Sequence, residues 1–450
     1  MTATFSRALS GVAASALLGL ASPAAAAPVL LISIDGMNPQ YVTEADQRGF
    51  KVPNLKRFLT EGSFARGVRG VTPTITCPSH ATLVTGVTPS RHGITGNDPM
   101  RSDGHVSSLC TFAADIKVDT LWDAAARGGI DSGSVGWPNT AGATSVRYNV
   151  PHVEPYDSDA TVRFQEAMAR PEGLLTALEA KLGSYRQTPD ERGSAIRTKF
   201  AIELMRQNKP GLMLFHVVAL DAASHKAGPY GAPAKQAVEA EDAMVGELIA
   251  AAQAIDPSTI VAVVSDHGHA PVSRRLNLRV ELVKAGLIRI DPPEAGKAIG
   301  VIDRRVDVWG DAIKLTDPAD AVTRSAVRAL LTRLAADPAN GIARVLDGAD
   351  VEALGGWPGS DFALDMQEGT TLGGLYAGPL VIEGQAVIGH HGYLPHHATM
   401  NAAFMIKGPG VKAGQDLGVV DMVQVAPTLA KALGVTLNDA KAAPLPVFTR

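Results

Sequence analysis

Five separated segments of this chain carry carboxylates or imidazoles, and three of these segments directly follow apolar runs typical of buried strands. Such groups are costly beside a buried strand unless a cation compensates them. Oxygen and nitrogen donors of this kind form a ligand set suited to zinc. We therefore predict a paired metal site. Its candidate ligands are Asp35, Asp221, His225, Asp266, His267 and His391.

The spacing of these residues decides which of them can share one ion. Asp221 and His225 are four residues apart, which puts both side chains on one face of a helix. Asp266 and His267 are neighbours, so they converge only where the chain turns, and Gly268 would permit that turn. Each motif alone has an ordinary explanation, such as a solvated helix face or a helix cap. Their combination favours the metal site.

Thr76 is the candidate nucleophile and a further candidate metal ligand. It lies just before Pro78, which fits the first turn of a helix that runs to Thr85. The start of a helix favours an anionic substrate and an alkoxide. A threonine hydroxyl is a weak nucleophile until a metal lowers its pKa. On its own, Thr76 is better explained as a helix cap; beside the ligand groups we expect it to react.

Short apolar runs and the helical stretches between them predict how these residues are positioned. Strands that alternate with helices indicate a parallel sheet, which binds ligands beyond the carboxyl ends of its strands. We therefore expect an α/β fold with a mostly parallel central sheet and helices on both faces. The predicted strands are Val29–Ile34, Met213–Leu220, Ile260–Ser265 and Ala402–Ile406. The predicted helices are Asn54–Glu61, Val118–Arg127, Gly173–Leu182, Arg197–Asn208 and Ala234–Ile255.

The segment 273–385 has a different pattern and is predicted to be an inserted α+β cap. It combines an alternating segment at Val301–Leu315 with helices at Ala319–Ala336 and Ala349–Leu354. A last helix at Met422–Leu433 would close the core. The predicted organisation is a signal peptide (1–26), a first part of the core (27–272), the cap (273–385) and the rest of the core (386–450).

The composition and the first residues bear on location and partners. The chain has 450 residues and a formal net charge of −4. This charge does not indicate a basic surface of the kind that binds a nucleic-acid duplex. Arg7, the apolar stretch Ala8–Leu20 and three alanines at 24–26 are typical of a secretory signal. We expect a mature protein that begins at Ala27, has no membrane span and is periplasmic or secreted.

The two cysteines, Cys77 and Cys110, allow two interpretations. In an exported protein they could form a disulfide. They could equally be two small buried thiols.

Four motifs, in chain order, resemble those of the alkaline phosphatase superfamily, specifically its nucleotide pyrophosphatase/phosphodiesterase branch. They are Thr-x-Pro-x-His-x-x-Leu-x-Thr-Gly, Asp-x-x-x-His, Ser-Asp-His-Gly and His-Gly-Tyr. The resemblance runs from about Val29 to the C-terminus and is weakest in the cap. It implies that Asn97 hydrogen-bonds a non-bridging phosphoryl oxygen. It also implies two Zn²⁺ ions, one held by Asp221, His225 and His391 and the other by Asp35, Asp266 and His267 with Thr76 beside it.

Departures from this branch bear on the substrate. Cys77 stands where nucleotide-processing relatives have a phenylalanine that stacks on the base, and Tyr156 aligns loosely with their stacking tyrosine. These two residues are candidate substrate contacts, and nucleotide preference stays open. The segment 137–142 lacks the Lys-x-Arg pair of some monoesterases, which favours diesters. Sulfatases use Cys-x-Pro-x-Arg, but here the cysteine is one residue too close to Pro78 and His80 replaces the arginine.

The sequence thus predicts an exported two-zinc phosphodiesterase or nucleotide pyrophosphatase that acts on small phosphate esters through a phosphothreonine. The alternatives are a phosphomonoesterase or phosphonate hydrolase, and a zinc-dependent binding protein or inactivated relative. The pair Thr76 and Asn97 favours the enzyme, and the oligomeric state is not indicated. Further histidines are expected to support the site or to lie at the surface: His80, His92, His269, His390, His396 and His397.

Overall fold

The computed structural model of the chain describes residues 27–98, 110–153, 159–186, 188–292 and 299–449, so the predicted signal peptide lies outside it. The strands are β1 (Val29–Ile34), β2 (Ser63–Phe64), β3 (Gly67–Arg69), β4 (Ser132–Val135), β5 (Tyr148–Val150), β6 (Leu212–Val217), β7 (Ile260–Val264), β8 (Ala270–Leu276), β9 (Ile288–Ile290), β10 (Val301–Arg304), β11 (Val306–Trp309), β12 (Ala312–Leu315), β13 (Ile342–Asp347), β14 (Phe362–Met366), β15 (Thr370–Leu372), β16 (Val381–His390), β17 (Phe404–Lys407), β18 (Gln415–Asp416) and β19 (Val419–Asp421).

The helices lie between these strands, as the alternation of patterns predicts. They are α1 (Gln40–Thr43), α2 (Ala45–Arg48), α3 (Pro53–Glu61), α4 (Thr76–Thr85), α5 (Pro89–His92), α6 (Leu121–Arg127), α7 (Asp159–Met168), α8 (Leu174–Leu182), α9 (Glu191–Asn208), α10 (Ala219–Ala227), α11 (Ala232–Ile255), α12 (Leu278–Lys284), α13 (Ala321–Ala335), α14 (Gly348–Ala353) and α15 (Val425–Leu433).

A central sheet of eight strands has the order β18-β2-β17-β7-β1-β6-β4-β5. Neighbours from β7 to β5 in this order run parallel, whereas β17 runs antiparallel to β7. The expected α/β fold with a mostly parallel sheet is therefore confirmed. The antiparallel β17 is the strand through which the chain rejoins the sheet after the region predicted to be the cap.

Helices cover both faces of this sheet because its middle strands are apolar on both sides. In β1, Leu30, Ile32 and Ile34 belong to one apolar cluster, which also holds side chains of α3, α9 and α11. The alternate residues Val29 and Leu31 belong to a second cluster with side chains of α4, α6 and α15. All six residues of β1 are buried, as expected of a strand between two helical layers.

The predicted elements agree with the observed ones to within about three residues, except that α9 begins at Glu191, six residues before the predicted start at Arg197. The end of the second predicted strand is the instructive case. The apolar run Met213–Leu220 predicts one strand, but β6 ends at Val217 and α10 begins at Ala219. Burial continues through the turn, because Val218, Ala219 and Leu220 are all buried. Hydropathy therefore does not mark the point at which the strand becomes the helix that carries Asp221.

The predicted cap region contains its own sheets and its own apolar cluster. The strands β11, β12, β14 and β13 form a four-stranded sheet, and β15, β8 and β16 form a three-stranded one. The cluster combines side chains of α13 with Ala270, Val272, Tyr393 and Met400, which lie on the core side of the predicted limits at 273 and 385. The division at these residues stays a prediction. Among the described residues, no helix is both long and apolar enough to cross a bilayer.

Candidate metal centre and nucleophile

Three adjacent strands, β7, β1 and β6, bring most of the predicted site residues to one edge of the central sheet. Asp35 directly follows β1, and Asp266 and His267 follow β7 after one intervening residue. Asp221 and His225 lie on α10, the helix that begins after β6. The carboxyl ends of parallel strands meet at the same edge. The chain thus places residues that are more than 200 positions apart within one site.

The first group of candidate ligands consists of Asp35, Asp266 and His267, all buried. Nε2 of His267 lies 3.2 Å from Oδ2 of Asp266 and 3.6 Å from Oδ1 of Asp35. The other carboxylate oxygen of Asp266, Oδ1, accepts the backbone N–H groups of Gly36 and His267, each at 3.0 Å. These hydrogen bonds fix the direction in which Oδ2 points, toward the imidazole.

The second group contains Asp221, His225 and His391. Oδ1 of Asp221 lies 3.4 Å from Nε2 of His225 and 3.6 Å from Nε2 of His391, and these two nitrogens are 3.1 Å apart. Nδ1 of His225 faces the Gly389 carbonyl at 3.0 Å, and Nδ1 of His391 faces the Thr74 carbonyl at 3.2 Å. An N–H at Nδ1 can donate to each carbonyl, which leaves the Nε2 lone pair for a cation.

The two groups are adjacent. The rings of His267 and His391, one from each group, stack with their centroids 3.7 Å apart and an angle of 15° between their planes. His391 reaches this position from β16, which pairs with β8, and β8 continues from the turn that carries Asp266. The six predicted ligands therefore form one continuous site.

The donor atoms fit a divalent cation in each group. Tetrahedral zinc ligands at about 2.0–2.1 Å from the ion stand roughly 3.3 Å from one another, and the distances within the two groups are 3.1–3.6 Å. Within the described part of the chain, Oδ1 of Asp221, Oδ2 of Asp266 and Nε2 of His267 have no partner in hydrogen-bond geometry. Buried polar atoms without such a partner need another explanation, and a shared ion supplies it.

The electrostatics of Asp266, His267 and His391 favour a cation at this site. Burial lowers the pKa of His267 to about 3 and holds the pKa of His391 well below its usual value. Both imidazoles are therefore neutral at neutral pH, the form that binds metals. Burial raises the pKa of Asp266, which means that its carboxylate lacks sufficient positive charge from the protein alone.

Thr76 is the first residue of α4 and is half-buried. The buried His80, one turn further along, connects it to the first group. Nδ1 of His80 lies 2.8 Å from the Thr76 carbonyl oxygen and 3.6 Å from Oδ2 of Asp266, and Nε2 lies 2.9 Å from Oγ of Ser33 on β1. His80 thus holds the start of α4 against the central sheet. His92 supports the same helix, because its Nε2 is 3.0 Å from Oγ1 of Thr82.

Asn97 lies beside Thr76 through a backbone contact. Its Oδ1 accepts the N–H of Cys77 at 3.0 Å, so Nδ2 is the end of this amide that can donate to a substrate. Asn97 and His391 line a cavity of about 400 Å³. Other parts of its wall come from Pro73 and Ile75 and from residues predicted to lie in the cap, among them Arg279, Trp309, Asp311 and Trp357.

The predicted substrate contacts are Cys77 and Tyr156, and the structure describes only the first. Cys77 is not available to a substrate, because its side chain has no exposed surface and is joined to Cys110 as a disulfide, with Cα atoms 5.1 Å apart. It contributes its backbone N–H instead. Tyr156 lies outside the described residues. Of the remaining histidines, His390 lines the cavity, whereas His396 and His397 form a separate group with Asp365.

Two residues that the sequence analysis did not select contact the ligands. His216 in β6 approaches Asp35, and Ser265 donates from Oγ to the His267 carbonyl at 2.8 Å and accepts the Met37 N–H at 2.9 Å. A signal existed for His216, since it is a histidine within an otherwise apolar strand. Such a residue needs a buried partner.

The sheet order and the position of the site at its edge define an alkaline phosphatase-like α/β protein. The sequence model of the type I phosphodiesterase / nucleotide pyrophosphatase family matches residues 29–370, and the chain belongs to this family.

Curated relatives match over about half of this chain. An uncharacterized pyrophosphatase/phosphodiesterase of Schizosaccharomyces pombe is 26% identical over 254 residues, which are 54% of this chain and 45% of that protein. Human ectonucleotide pyrophosphatase/phosphodiesterase family member 1 is 25% identical over 249 residues, which are 54% of this chain and 23% of that protein. The chain thus aligns with less than half the length of either relative.

Solved structures match over nearly the whole chain. Human ectonucleotide pyrophosphatase/phosphodiesterase 5 has a TM-score of 0.66 at 20% identity and covers 92% of this chain and 97% of its own. An inactive variant of the murine protein in complex with AMP has a TM-score of 0.65 at 18% identity and covers 93% and 97%. At this level of identity, the similarity shows the fold.

Proposed function

We propose that this chain hydrolyses small phosphate diesters, nucleotide pyrophosphates included, with Thr76 as nucleophile and with two divalent cations as cofactors. The observation that carries the proposal is the stacking of His267 on His391, which joins the two ligand groups into one site. Membership of the type I phosphodiesterase / nucleotide pyrophosphatase family supports the reaction class.

Zinc is the ion that we propose, because the donors are carboxylate oxygens and imidazole nitrogens. Asp221, His225 and His391 would hold one ion, and Asp35, Asp266 and His267 would hold the other. When bound, such a pair lowers the pKa of a nearby hydroxyl and neutralises the charge of a phosphoryl group.

The chemical step that we propose is a double displacement at phosphorus. Oγ1 of Thr76 forms a bond to phosphorus while the bond from phosphorus to the leaving oxygen breaks, and the hydroxyl proton leaves with the alcohol or, from a pyrophosphate, with the phosphate product. Water then attacks the phosphothreonine, the Oγ1–P bond breaks, one proton of the water returns to Oγ1 and a phosphomonoester is released. The position of Thr76 at the start of α4 supports this role, because helix N-termini stabilise anions.

Asn97 is proposed to donate from Nδ2 to a non-bridging phosphoryl oxygen. The hydrogen bond from the Cys77 N–H to Oδ1 supports this role, because it holds the amide in one orientation. The Cys77–Cys110 disulfide, buried beside Ala81 and Ile94, supports the segment from which that N–H donates. Cys77 thus acts through its backbone and not through its side chain.

The wall of the cavity supports diesters over monoesters. A monoester dianion needs positive charge beyond that of the ions. Arg279 is a cationic residue in the wall, but its Nη2 donates to the Val308 carbonyl at 2.6 Å and its Nη1 to the Gly373 carbonyl at 3.4 Å. These two hydrogen bonds use two of its five N–H donors and anchor the guanidinium to backbone carbonyls, so we propose that Arg279 is not the counter-charge of a monoester dianion.

A comparison of two substrates with two Thr76 variants tests the proposal. An aryl phosphate diester and the matching monoester would be assayed with the purified protein, and the bound metal would be counted by elemental analysis. We expect faster diester hydrolysis, about two zinc ions per chain, and a loss of at least about 1000-fold in Thr76→Ala with its zinc retained. Thr76→Ser, which keeps a hydroxyl, is the matched control and should keep measurable turnover.

Each alternative has its own outcome in this experiment. A monoester rate far above the diester rate would replace the diesterase by a phosphomonoesterase. Wild-type turnover in Thr76→Ala would remove Thr76 from its role. A zinc-loaded wild-type protein that hydrolyses neither substrate, nor a phosphonate ester, would support a zinc-dependent binding protein or an inactivated relative.

We also propose that the protein is exported and is periplasmic or secreted. The secretory pattern of residues 1–26 and the disulfide between Cys77 and Cys110 support this location, because disulfides persist in oxidising compartments. N-terminal sequencing of protein from the periplasm or medium should give Ala27 as the first residue. An intact N-terminus and a cytoplasmic location would contradict export.

A further inference from the structure

We propose that His269 is a fourth ligand of the ion held by Asp221, His225 and His391. This inference rests on the proposed two-cation function and assigns a closed ligand set to one of the two ions. The sequence analysis expected only a supporting role for His269, since it follows the Ser-Asp-His-Gly motif.

The distances place His269 within the second group. Its Nε2 lies 3.0 Å from Oδ1 of Asp221, closer than Nε2 of His225 at 3.4 Å or of His391 at 3.6 Å. Donor atoms of all four residues lie within 4.8 Å of one another. The side chain of His269 is 1% exposed, whereas that of His225 is 39% exposed. His269 is therefore the more deeply enclosed of the two imidazoles.

The backbone fixes His269 beside its partners. The strands β8 and β16 are antiparallel, and Ala270 of β8 pairs with His390 of β16. His269 directly precedes Ala270 and His391 directly follows His390, so the two histidines lie opposite each other. The centroid of the His269 ring is 5.2 Å from that of His391 and 5.1 Å from that of His225. Because the ladder register sets this position, it does not depend on a flexible loop.

A glycine makes the room that the His269 ring occupies. A Cβ atom on Gly36, which has φ of +74°, would lie 2.5 Å from Cε1 of His269. A larger residue at position 36 would therefore push the ring out of the site. The carbonyl of Gly36 also faces Nδ1 of His269 at 3.4 Å, at the long limit of a hydrogen bond.

The two ring nitrogens of His269 face different partners. An N–H at Nδ1 can donate to the Gly36 carbonyl, which leaves the Nε2 lone pair for a cation shared with Asp221. The rings of His225, His267 and His391 surround His269 on the same side of the site.

A fourth protein ligand makes the two ions unequal. Four ligands complete a tetrahedral zinc site, whereas three leave a position open. The ion of the Asp221 group is then the one that a chelator removes last. The ion of the Asp35 group has three carboxylate or imidazole ligands, and its fourth candidate ligand is the hydroxyl of Thr76, which binds more weakly than an imidazole, so this ion leaves first.

Binding of cobalt(II) to the metal-stripped full chain tests this assignment without an activity assay. The visible absorption of cobalt reports the number and type of its ligands, and a competing chelator gives the affinity of each ion. Wild type should bind two ions of unequal affinity. His269→Ala should weaken the tighter one at least about 10-fold and change its spectrum. His391→Ala is the reference for loss of a ligand, and His396→Ala, with a side chain 58% exposed and outside this group, is the matched control.

The outcomes separate this inference from the proposed function. Two ions bound to His269→Ala with wild-type affinity and spectrum would overturn the role of His269 and leave the proposed function intact. Tighter binding in His269→Ala would identify His269 as the charged partner of Asp221 and would also overturn the inference. A wild-type protein that binds no cobalt would overturn the proposed function itself. Should His269→Ala not fold, His269→Gln carries the same comparison, with thermal unfolding of the stripped proteins as the check.

Discussion

Nε2 of His216 lies 3.1 Å from Oδ2 of Asp35, and both side chains are buried. His216 is part of β6, next to β1 in the sheet, and its Nδ1 lies 3.1 Å from the Gly136 carbonyl. Asp35 is therefore held from the neighbouring strand, with its other oxygen, Oδ1, directed toward Nε2 of His267. A residue of the sheet interior thus sets the orientation of a candidate ligand.

The first prediction concerns this contact. Replacing His216 by Phe removes the partner of Asp35, and we expect the affinity for the ion of the Asp35 group to fall about 10- to 100-fold. Chelator competition with zinc would measure this change. His216→Gln, which keeps a polar group, should lose less. Equal zinc affinity in wild type and His216→Phe, with both proteins folded, would show that the contact has no part in metal binding.

The second prediction concerns Trp309, a half-buried residue of β11 that lines the cavity. A Cβ atom on Gly96 would lie 2.1 Å from Cζ2 of Trp309, so the indole packs directly on the segment that carries Asn97. Trp309→Ala should raise KM for an aryl diester about 3- to 10-fold, which corresponds to the loss of the binding free energy of one aromatic contact. It should change kcat little. Trp309→Phe should retain most of the binding. A lower kcat with constant KM would assign the tryptophan to positioning Asn97 instead.

The third prediction is a dependence of substrate binding on pH through Asp311. Burial, with a further contribution from Asp365, raises the pKa of Asp311 to about 7. The carboxyl group is thus neutral below pH 7 and anionic above it. An anion in the wall repels a phosphate diester, so KM should rise between pH 6 and pH 8. The other ionisable groups that line the cavity are Asp98, Arg279, His390 and His391, and Tyr393 interacts with Asp311.

The measurement for Asp311 is KM against pH for the wild type and Asp311→Asn. The variant should lose this rise and should bind the diester more tightly than wild type at pH 8. Asp98→Asn removes an exposed carboxylate from the same cavity wall and is the control. Parallel KM profiles in wild type and Asp311→Asn would exclude Asp311 as the source of the rise.

How much of this site the sequence predicts depends on the kind of contact. Asp35, Asp266 and His267 were predictable as one group, because each follows an apolar strand and parallel strands end at a common edge. Their neighbour His216 was harder to find, because its role depends on which strand lies beside β1. Strand order is a long-range property that hydropathy along one chain does not carry.

The cap and the cysteines show the same limit. The alternating pattern predicts the strands of 301–315, but the packing of Trp309 on Gly96 joins residues more than 200 positions apart. Alignment with the family placed Cys77 where a substrate contact is expected, whereas its side chain turns inward to meet Cys110. Local pattern cannot report the direction of that side chain, since all helix residues from 77 to 85 are buried.

The last prediction concerns Glu241 of α11, which supports the helix that carries Asp221. Its Oε1 accepts the N–H of Ala219, the first residue of α10, at 3.0 Å, and it lies 3.3 Å from Oγ of Ser194. Glu241 has no exposed surface, and burial raises its pKa to about 8. This carboxyl group is therefore protonated in the folded protein at neutral pH.

The raised pKa of Glu241 determines how its contribution to stability changes with pH. The pKa is raised above the unfolded value of 4.5, so the contribution of Glu241 is fully present below about pH 4.5. It is lost as the pH rises toward 8, because the unfolded chain releases its proton first. The loss is about 1.4 kcal/mol per pH unit, or about 2–3 kcal/mol between pH 5.5 and pH 7.5. Glu241→Gln keeps an acceptor for the Ala219 N–H and has no proton to release.

Urea unfolding of the metal-stripped wild type and Glu241→Gln at both pH values would measure this effect. The free energy of unfolding should fall by about 2–3 kcal/mol more in wild type than in the variant between pH 5.5 and pH 7.5. Other groups that titrate in this range affect both proteins equally and cancel in the difference. Glu247→Gln, a change at an exposed residue of α11, should behave as wild type. An equal loss in wild type and Glu241→Gln would mean that Glu241 is already ionised in the folded protein at pH 5.5.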